Sequence, residues 1–218
     1  MVELSANGCR TDRWRLVPQE FYGRSTLRVA RELLGKILVV SSATNGKREV
    51  TAGRIVETEA YRENDPACHA WVGKTPRNEI MFGEPGRVYV YFIYGMYEMF
   101  NLVTEAKGKP AAVLIRALEP LSGIEAMRKR RPHVRAERDL LNGPGRLARA
   151  MGIKLAHKGE SAQGPNISIF DDGFKPKSVT VSPRVGISCG QENLWRYYLT
   201  EHPCVSKAPQ NKLGKVLS

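Results

Sequence analysis

The chain has 218 residues, 42% of them hydrophobic and 26% charged, which is the usage of a globular protein with a real core and excludes a disordered chain. Lys and Arg outnumber Asp and Glu by 34 to 22, a net charge of +12 that points to a polyanionic partner. No apolar run approaches the roughly 18 residues of a membrane span, the start has no signal-like apolar stretch, and the four cysteines form no CxxC pair, so membrane insertion, secretion and a zinc clamp are not expected. One domain over 1–218 is expected, cytoplasmic and monomeric, with no cofactor and no metal site.

In chain order, Ser25 to Leu34 carries Leu27, Ala30, Leu33 and Leu34 at helical spacing, with Ser25 as a cap and Gly35 as a stop. The apolar run from Ile37 to Val40, an Asn45-Gly46 turn and the extended segment Glu49 to Tyr61 predict a hairpin. Val88 to Tyr94 and Ala111 to Ala117 read as strands. Leu121 to Arg131 reads as a helix with a basic end that Pro132 stops, and Arg138 to Met151 as another, interrupted near Gly143-Pro144-Gly145. Loops rich in Gly, Pro, Ser and Asp surround a short strand at Ile167 to Phe170. A strand over Val179 to Ser188 and an aromatic segment over Trp195 to Leu199 follow, and the tail from about 207 is expected to fray. The fold class is α+β: a curved, mainly antiparallel mixed sheet surrounded by helices.

Two segments stand out chemically. In the stretch from Arg54 to Tyr61, strand geometry places Ile55, Glu57, Glu59 and Tyr61 on one face, so two carboxylates and a phenol share a surface; an edge strand with a solvated polar face accounts for the same pattern. From Tyr89 to Tyr97 there are four tyrosines in nine residues, more phenols than a core readily satisfies. Tyr94, immediately before Gly95, is placed to project from a hairpin tip, where an aromatic beside basic surface can wedge between bases.

Taken together, Glu57-Thr-Glu-Ala-Tyr61, His69, Thr75-Pro-Arg-Asn78, Tyr89 to Tyr97, Asn101, Arg116-Ala-Leu-Glu-Pro120, Gly143-Pro144 and Arg184-Val-Gly186 resemble the alkyladenine (3-methyladenine) DNA glycosylases, collinearly from about Phe21 to Tyr198. The resemblance implies an enzyme that flips a damaged purine from double-stranded DNA and hydrolyses its bond to the sugar. Glu59 matches the general base that deprotonates the attacking water. Arg116 matches an arginine that helps orient it, and the carbonyl at Val185 or its neighbour is similarly placed. Tyr61, His69 and Tyr91 match the walls that sandwich the flipped base. Asn101 matches the asparagine that obstructs the exocyclic amino group of guanine. Tyr94 matches the residue inserted where the base has left, with Met96 and Tyr97 flanking it.

The energetics are of the right size for that role. Extrusion of a nucleotide costs a few kcal/mol, which aromatic stacking of about 1–3 kcal/mol per base can offset, and electron-rich faces favour cationic alkylated bases by about 0.5–2 kcal/mol. Arg128, Arg130 and Arg146, among the arginines between 128 and 149, are the expected DNA-backbone contacts. Two other functions compete. A non-catalytic module binding RNA or single strands would use the same aromatics but would not need Glu59. A retaining carbohydrate hydrolase pairing Glu57 with Glu59 needs carboxyls about 5–5.5 Å apart and fits the net charge poorly.

Overall fold

A computed structural model describes residues 14–44 and 47–217, so Cys9 and the expected Asn45-Gly46 turn lie outside the described residues. One sheet of ten strands forms the frame. Its strands are β1 (Arg15–Leu16), β2 (Ile37–Thr44), β3 (Lys47–Tyr61), β4 (Val88–Ile93), β5 (Tyr97–Val103), β6 (Ala112–Ser122), β7 (Ile167–Asp171), β8 (Val179–Ser182), β9 (Arg196–Leu199) and β10 (Lys215–Val216). The main path runs β1-β7-β2-β3-β6-β5-β4, with β9, β8 and β10 joined to it through β3. Every ladder between these strands is antiparallel, so the expected parallel component of the sheet is absent among the described residues.

Strand β3 organises the molecule because it changes neighbours along its length. Its first part pairs with β2 through Arg54, and Glu57 to Glu59 pair with β9. The other edge pairs with β6 from Ala52 to Tyr61, with register shifts at Ala52/Gly53, Ile55/Glu57 and Glu57/Thr58. Such bulges bend a strand and re-aim its side chains, giving the sheet its curvature.

The helices are α1 (Gln19–Tyr22), α2 (Thr26–Glu32), α3 (Ile124–Arg130) and α4 (Pro144–Met151). They lie against a core that includes Leu38, Val56, Phe100, Ile115, Leu147 and Met151. At the start of α2, Ser25 makes no capping bond; the Thr26 N–H and hydroxyl both donate to Glu105 Oε1 at 2.8 Å. The Thr58 hydroxyl donates to Ala30 O at 2.8 Å, which fixes α2 to β3 from within the core.

Several expected boundaries move. The helix expected from Leu121 starts at Ile124, because β6 runs to Ser122 and Gly123 turns the chain at φ 75°. The helix expected from Arg138 starts at Pro144, behind Gly143 at φ 142°, a backbone that a helix cannot include. The strand expected over Val179 to Ser188 ends at Ser182, before Pro183. The aromatic segment is the buried strand β9, and the tail expected to fray instead forms a 3-10 turn at Pro209–Leu213 and adds β10 to β8.

Candidate active site

The site is assembled where β3, β4, β5 and β6 meet the loop that follows β8. The β3–β6 ladder pairs Glu57 with Ala117 and Thr58 with Ile115, leaving Arg116 as the extra residue of a bulge. Arg116 is thereby set between two carboxylates, with Nε on Glu57 Oε1 at 2.8 Å and Nη1 on Glu59 Oε2 at 3.2 Å.

Glu59 is fully buried and receives three hydrogen bonds. Oε2 accepts from Arg116 and from the Tyr61 hydroxyl at 2.8 Å, and Oε1 accepts from the Val185 N–H at 2.7 Å. Burial first, and then the adjacent Glu59 charge, raise the Tyr61 pKa well above its usual value, so the phenol stays protonated and donates. Burial alone would lower the pKa of Arg116, but Glu59 and Glu57 outweigh it and raise it, so the guanidinium remains charged.

Glu57 lies at the back of this arrangement, also fully buried. Its Oε1 accepts from Arg116, from Arg196 Nε at 2.7 Å and from the Ser206 hydroxyl at 2.8 Å, while Oε2 accepts from the Ser206 N–H at 2.8 Å. Burial would raise its pKa; Arg116, Arg196 and the Ser206 N–H prevail and hold it below the ordinary carboxylate range. With three donors on Oε1 and the Ser206 N–H on Oε2, Glu57 is the buried counter-charge of Arg116 and Arg196.

In front of Glu59 opens a cavity of about 310 Å³, within the range of small-molecule sites. Tyr61, His69, Tyr89, Tyr91, Tyr94 and Asn101 line it, together with Arg116 and Val185. Glu59 stands behind that lining, reached past its own three donors. His69 packs edge-on to Tyr91 with ring centroids 4.4 Å apart, and its Nδ1 lies 2.9 Å from the Tyr89 hydroxyl. Burial, and then the Arg77 charge, lower the His69 pKa, so the imidazole is neutral at neutral pH. Asn101, on β5, is nearly buried and donates from Nδ2 to Tyr89 O at 3.1 Å and Met99 O at 3.3 Å.

The β4–β5 hairpin overhangs the cavity. It turns through Tyr94-Gly95-Met96, with Tyr94 at φ 54° and Gly95 at φ 67°. A tyrosine in the left-handed region is uncommon and strained. Tyr94 is 76% exposed and Met96 63%. Tyr97 is half-exposed and its ring rests on Gly145, where a Cβ would come within 2.6 Å of Tyr97 Cδ1. The hairpin base is thus seated on the first turn of α4, and Pro144 beside it lines the cavity.

The chain from residue 20 to residue 203 matches the family model described as methylpurine-DNA glycosylase. It is 48% identical over 200 residues to a Methanocella arvoryzae protein named "Putative 3-methyladenine DNA glycosylase", covering 88% of this chain and 96% of that one. Proteins of the same name from Carboxydothermus hydrogenoformans and Burkholderia cenocepacia are 46% and 47% identical, each over 88% of this chain and over 99% and 92% of their own.

The chain belongs to the methylpurine-DNA glycosylase family.

The structure of this DNA glycosylase brings Glu59, Arg116, Val185, Tyr61, His69, Tyr91 and Asn101 together around one cavity, with Tyr94, Met96 and Tyr97 at the hairpin beside it. Val185 meets Glu59 through its N–H, where the resemblance pointed to a carbonyl. Arg146 is exposed on α4, two residues from Pro144. Arg128 is half-buried, its Nη2 3.5 Å from Glu137. Arg130 donates to Ala150 O at 3.0 Å, Ser42 Oγ at 3.0 Å and Glu49 Oε2 at 2.7 Å, closing the end of α4.

Two contributors carry roles that the sequence did not assign. Tyr89, counted only as one of four tyrosines, holds His69 from within the core. Asn78 braces the loop after His69 by donating to His69 O and Gly73 O, both at 2.8 Å. That loop presents Trp71 and Val72, both exposed. Among the described residues no helix is long and apolar enough to cross a membrane.

Proposed function

We propose that this glycosylase removes alkylated or deaminated purines, the class of 3-methyladenine, 7-methylguanine, hypoxanthine and ethenoadenine, from double-stranded DNA and leaves an abasic site. The observation that carries this reading is a fully buried carboxylate held by three donors directly behind an aromatic-walled cavity. A module that only binds RNA or single strands would use the same aromatic walls but would not need Glu59.

In this mechanism Tyr61, His69 and Tyr91 enclose the flipped base, and Tyr94 occupies the gap that it leaves in the stack. Its strained backbone is consistent with a residue kept for contact with a partner. Oε2 of Glu59 already accepts two bonds, while Oε1 accepts only one and retains a lone pair. Oε1 is therefore the atom that takes the proton of the attacking water. The water oxygen bonds to C1′ as the C1′–N bond breaks, and that electron pair leaves with the base. A cationic methylated purine then departs neutral without a proton, whereas hypoxanthine leaves better once protonated. Arg116 steadies the carboxylate through the change, and Asn101 meets the 2-amino group of guanine, which adenine and hypoxanthine lack. The enzyme acts as a monomer in the cytoplasm, with no cofactor, and exposed arginines such as Arg146 contact phosphates.

Single-turnover excision from a panel of duplexes, each carrying one of these lesions, tests the reading against an undamaged duplex. Release of at least one free lesion base, with an abasic site left and the undamaged duplex intact, is expected. No release from any lesion duplex would overturn it.

A further inference from the structure

The Val185 N–H that reaches Glu59 belongs to a segment, 183–195, without helix or strand. The loop 62–78, which carries His69, likewise has no ladder of its own. One ion pair joins them. Arg184 and Asp65 are both fully buried and pair bidentately, Nη1 with Oδ2 and Nη2 with Oδ1, the second at 2.9 Å. Arg184 Nη1 also donates to Ala60 O on β3 at 3.0 Å, and Nη2 to Gly190 O at 3.4 Å. Asp65 in turn accepts the Ala67 N–H at Oδ1 and the Cys68 N–H at its carbonyl, at 3.1 and 2.8 Å, so it shapes the approach to His69.

The guanidinium carbon also lies 4.7 Å from the centroid of the Tyr61 ring. Two of the three donors on Glu59 therefore depend on Arg184, one as its next peptide and the other as the ring it braces. A buried ion pair adds little stability over a packed apolar pair of the same size, because desolvation offsets the attraction. Stability alone does not account for it. Its geometry is fixed closely: at Gly190, φ 68°, a Cβ would lie 3.0 Å from Arg184 Nη2 and 3.1 Å from Asp65 Oδ1.

We infer that Asp65 and Arg184 are positioning residues for the reaction, clamping the Val185 amide and the Tyr61 phenol onto Glu59 and tying the His69 loop to the same point. This rests on the reading of Glu59 as the general base. Loss of the clamp frees Val185 to move, and displacement of a reacting group by about 1 Å can reduce a rate by about 10²-fold.

The test uses Asp65→Asn and Arg184→Lys, each alone and combined with Glu59→Gln. Release of methylpurine from a methylated duplex is followed in single turnover at saturating enzyme, and duplex affinity is measured separately. Each single variant is expected to slow release by about 10–100-fold with a smaller change in affinity, and to add nothing to the loss caused by Glu59→Gln, because residues that act as a unit are non-additive. Wild-type rates in both single variants, or losses that multiply with Glu59→Gln, would overturn the inference. If melting curves show that these variants do not fold, Gly190→Ala, which presses on the pair without removing a charge, takes their place with the same expectations. Amide hydrogen exchange gives a readout independent of activity: protection of the Val185 N–H should fall while that of β3 and β6 stays, and unchanged protection would equally refute the clamp. An inactive wild type would defeat the proposed function, and the exchange measurement would still decide the clamp.

Discussion

The hydroxyl of Tyr61 donates a 2.8 Å hydrogen bond to Oε2 of Glu59, two residues before it on the same strand. One wall of the cavity is thereby coupled to the carboxylate behind it, and both of its oxygens are oriented before any substrate arrives. Glu59→Gln is expected to keep the fold and lesion binding and to slow the chemical step by about 10²–10⁴-fold, the range for loss of a general base. Single-turnover excision measures it, and a normal rate would remove Glu59 from the chemistry.

Tyr94→Ala is expected to weaken binding to a lesion-bearing duplex more than binding to the same lesion in a single strand. A wedge matters only where a stack must be held open, and Tyr94 is 76% exposed, so its removal leaves the core intact. Titrations with both substrates distinguish the cases; equal losses would make Tyr94 a general contact.

Acid should destabilise the protein through Glu57. Its folded-state pKa lies below the ordinary value, so it contributes stability that is fully present above the unfolded pKa of about 4.3 and is lost as pH falls toward the folded value. Glu57→Gln is expected to flatten that slope and to destabilise the protein at neutral pH by about 3–5 kcal/mol, since Arg116 and Arg196 would lose their buried counter-charge. Urea melts between pH 3 and pH 7 provide the measurement. An unchanged acid limb in the variant would mean that other carboxylates control it.

His69 should titrate below the usual histidine value of about 6.5, because burial and the Arg77 charge both disfavour the imidazolium. Arg77→Gln removes the second cause and is expected to raise the pKa without restoring the ordinary value. NMR titration of the imidazole resonances reads both. Titration of wild-type His69 above the usual value would contradict the description of its surroundings.

Much of this was legible in the sequence where the information is local. Alternation and turn residues placed β2, β3, β4, β6 and β7 within a few residues, and Tyr94 beside Gly95 marked the hairpin tip, but β5 (Tyr97–Val103) was not expected as a strand. The motif from Glu57 to Tyr61 located the carboxylates, but not what distinguishes them. Glu57 differs from Glu59 because Arg196 and Ser206, 139 and 149 residues away, occupy its oxygens, and no spacing rule reaches that far. The bulge that sets Arg116 between them is equally invisible, since register depends on the partner strand. Arg130 resembled its basic neighbours until the end of α4 folded against it. The interruption expected near Gly143-Pro144-Gly145 is where α4 begins, and the residues from Arg138 before it are not part of that helix because the Gly143 backbone at φ 142° cannot enter one.

The buried charged residues among those described are Glu57, Glu59 and Asp65 with Arg116, Arg184 and Arg196, three of each sign. By formal count the interior around the reacting atoms is neutral, and the +12 excess of the chain belongs to other residues. Ionic strength should therefore act on the two halves of the work unequally. Added salt screens surface charge over about 8–10 Å and displaces a protein from the counterion atmosphere of DNA, so affinity should fall linearly in a log–log plot. The rate of release from the saturated complex should change by less than about twofold over the same range. Capture of DNA would then depend on the salt of the compartment, while the chemistry, once the duplex is held, would not.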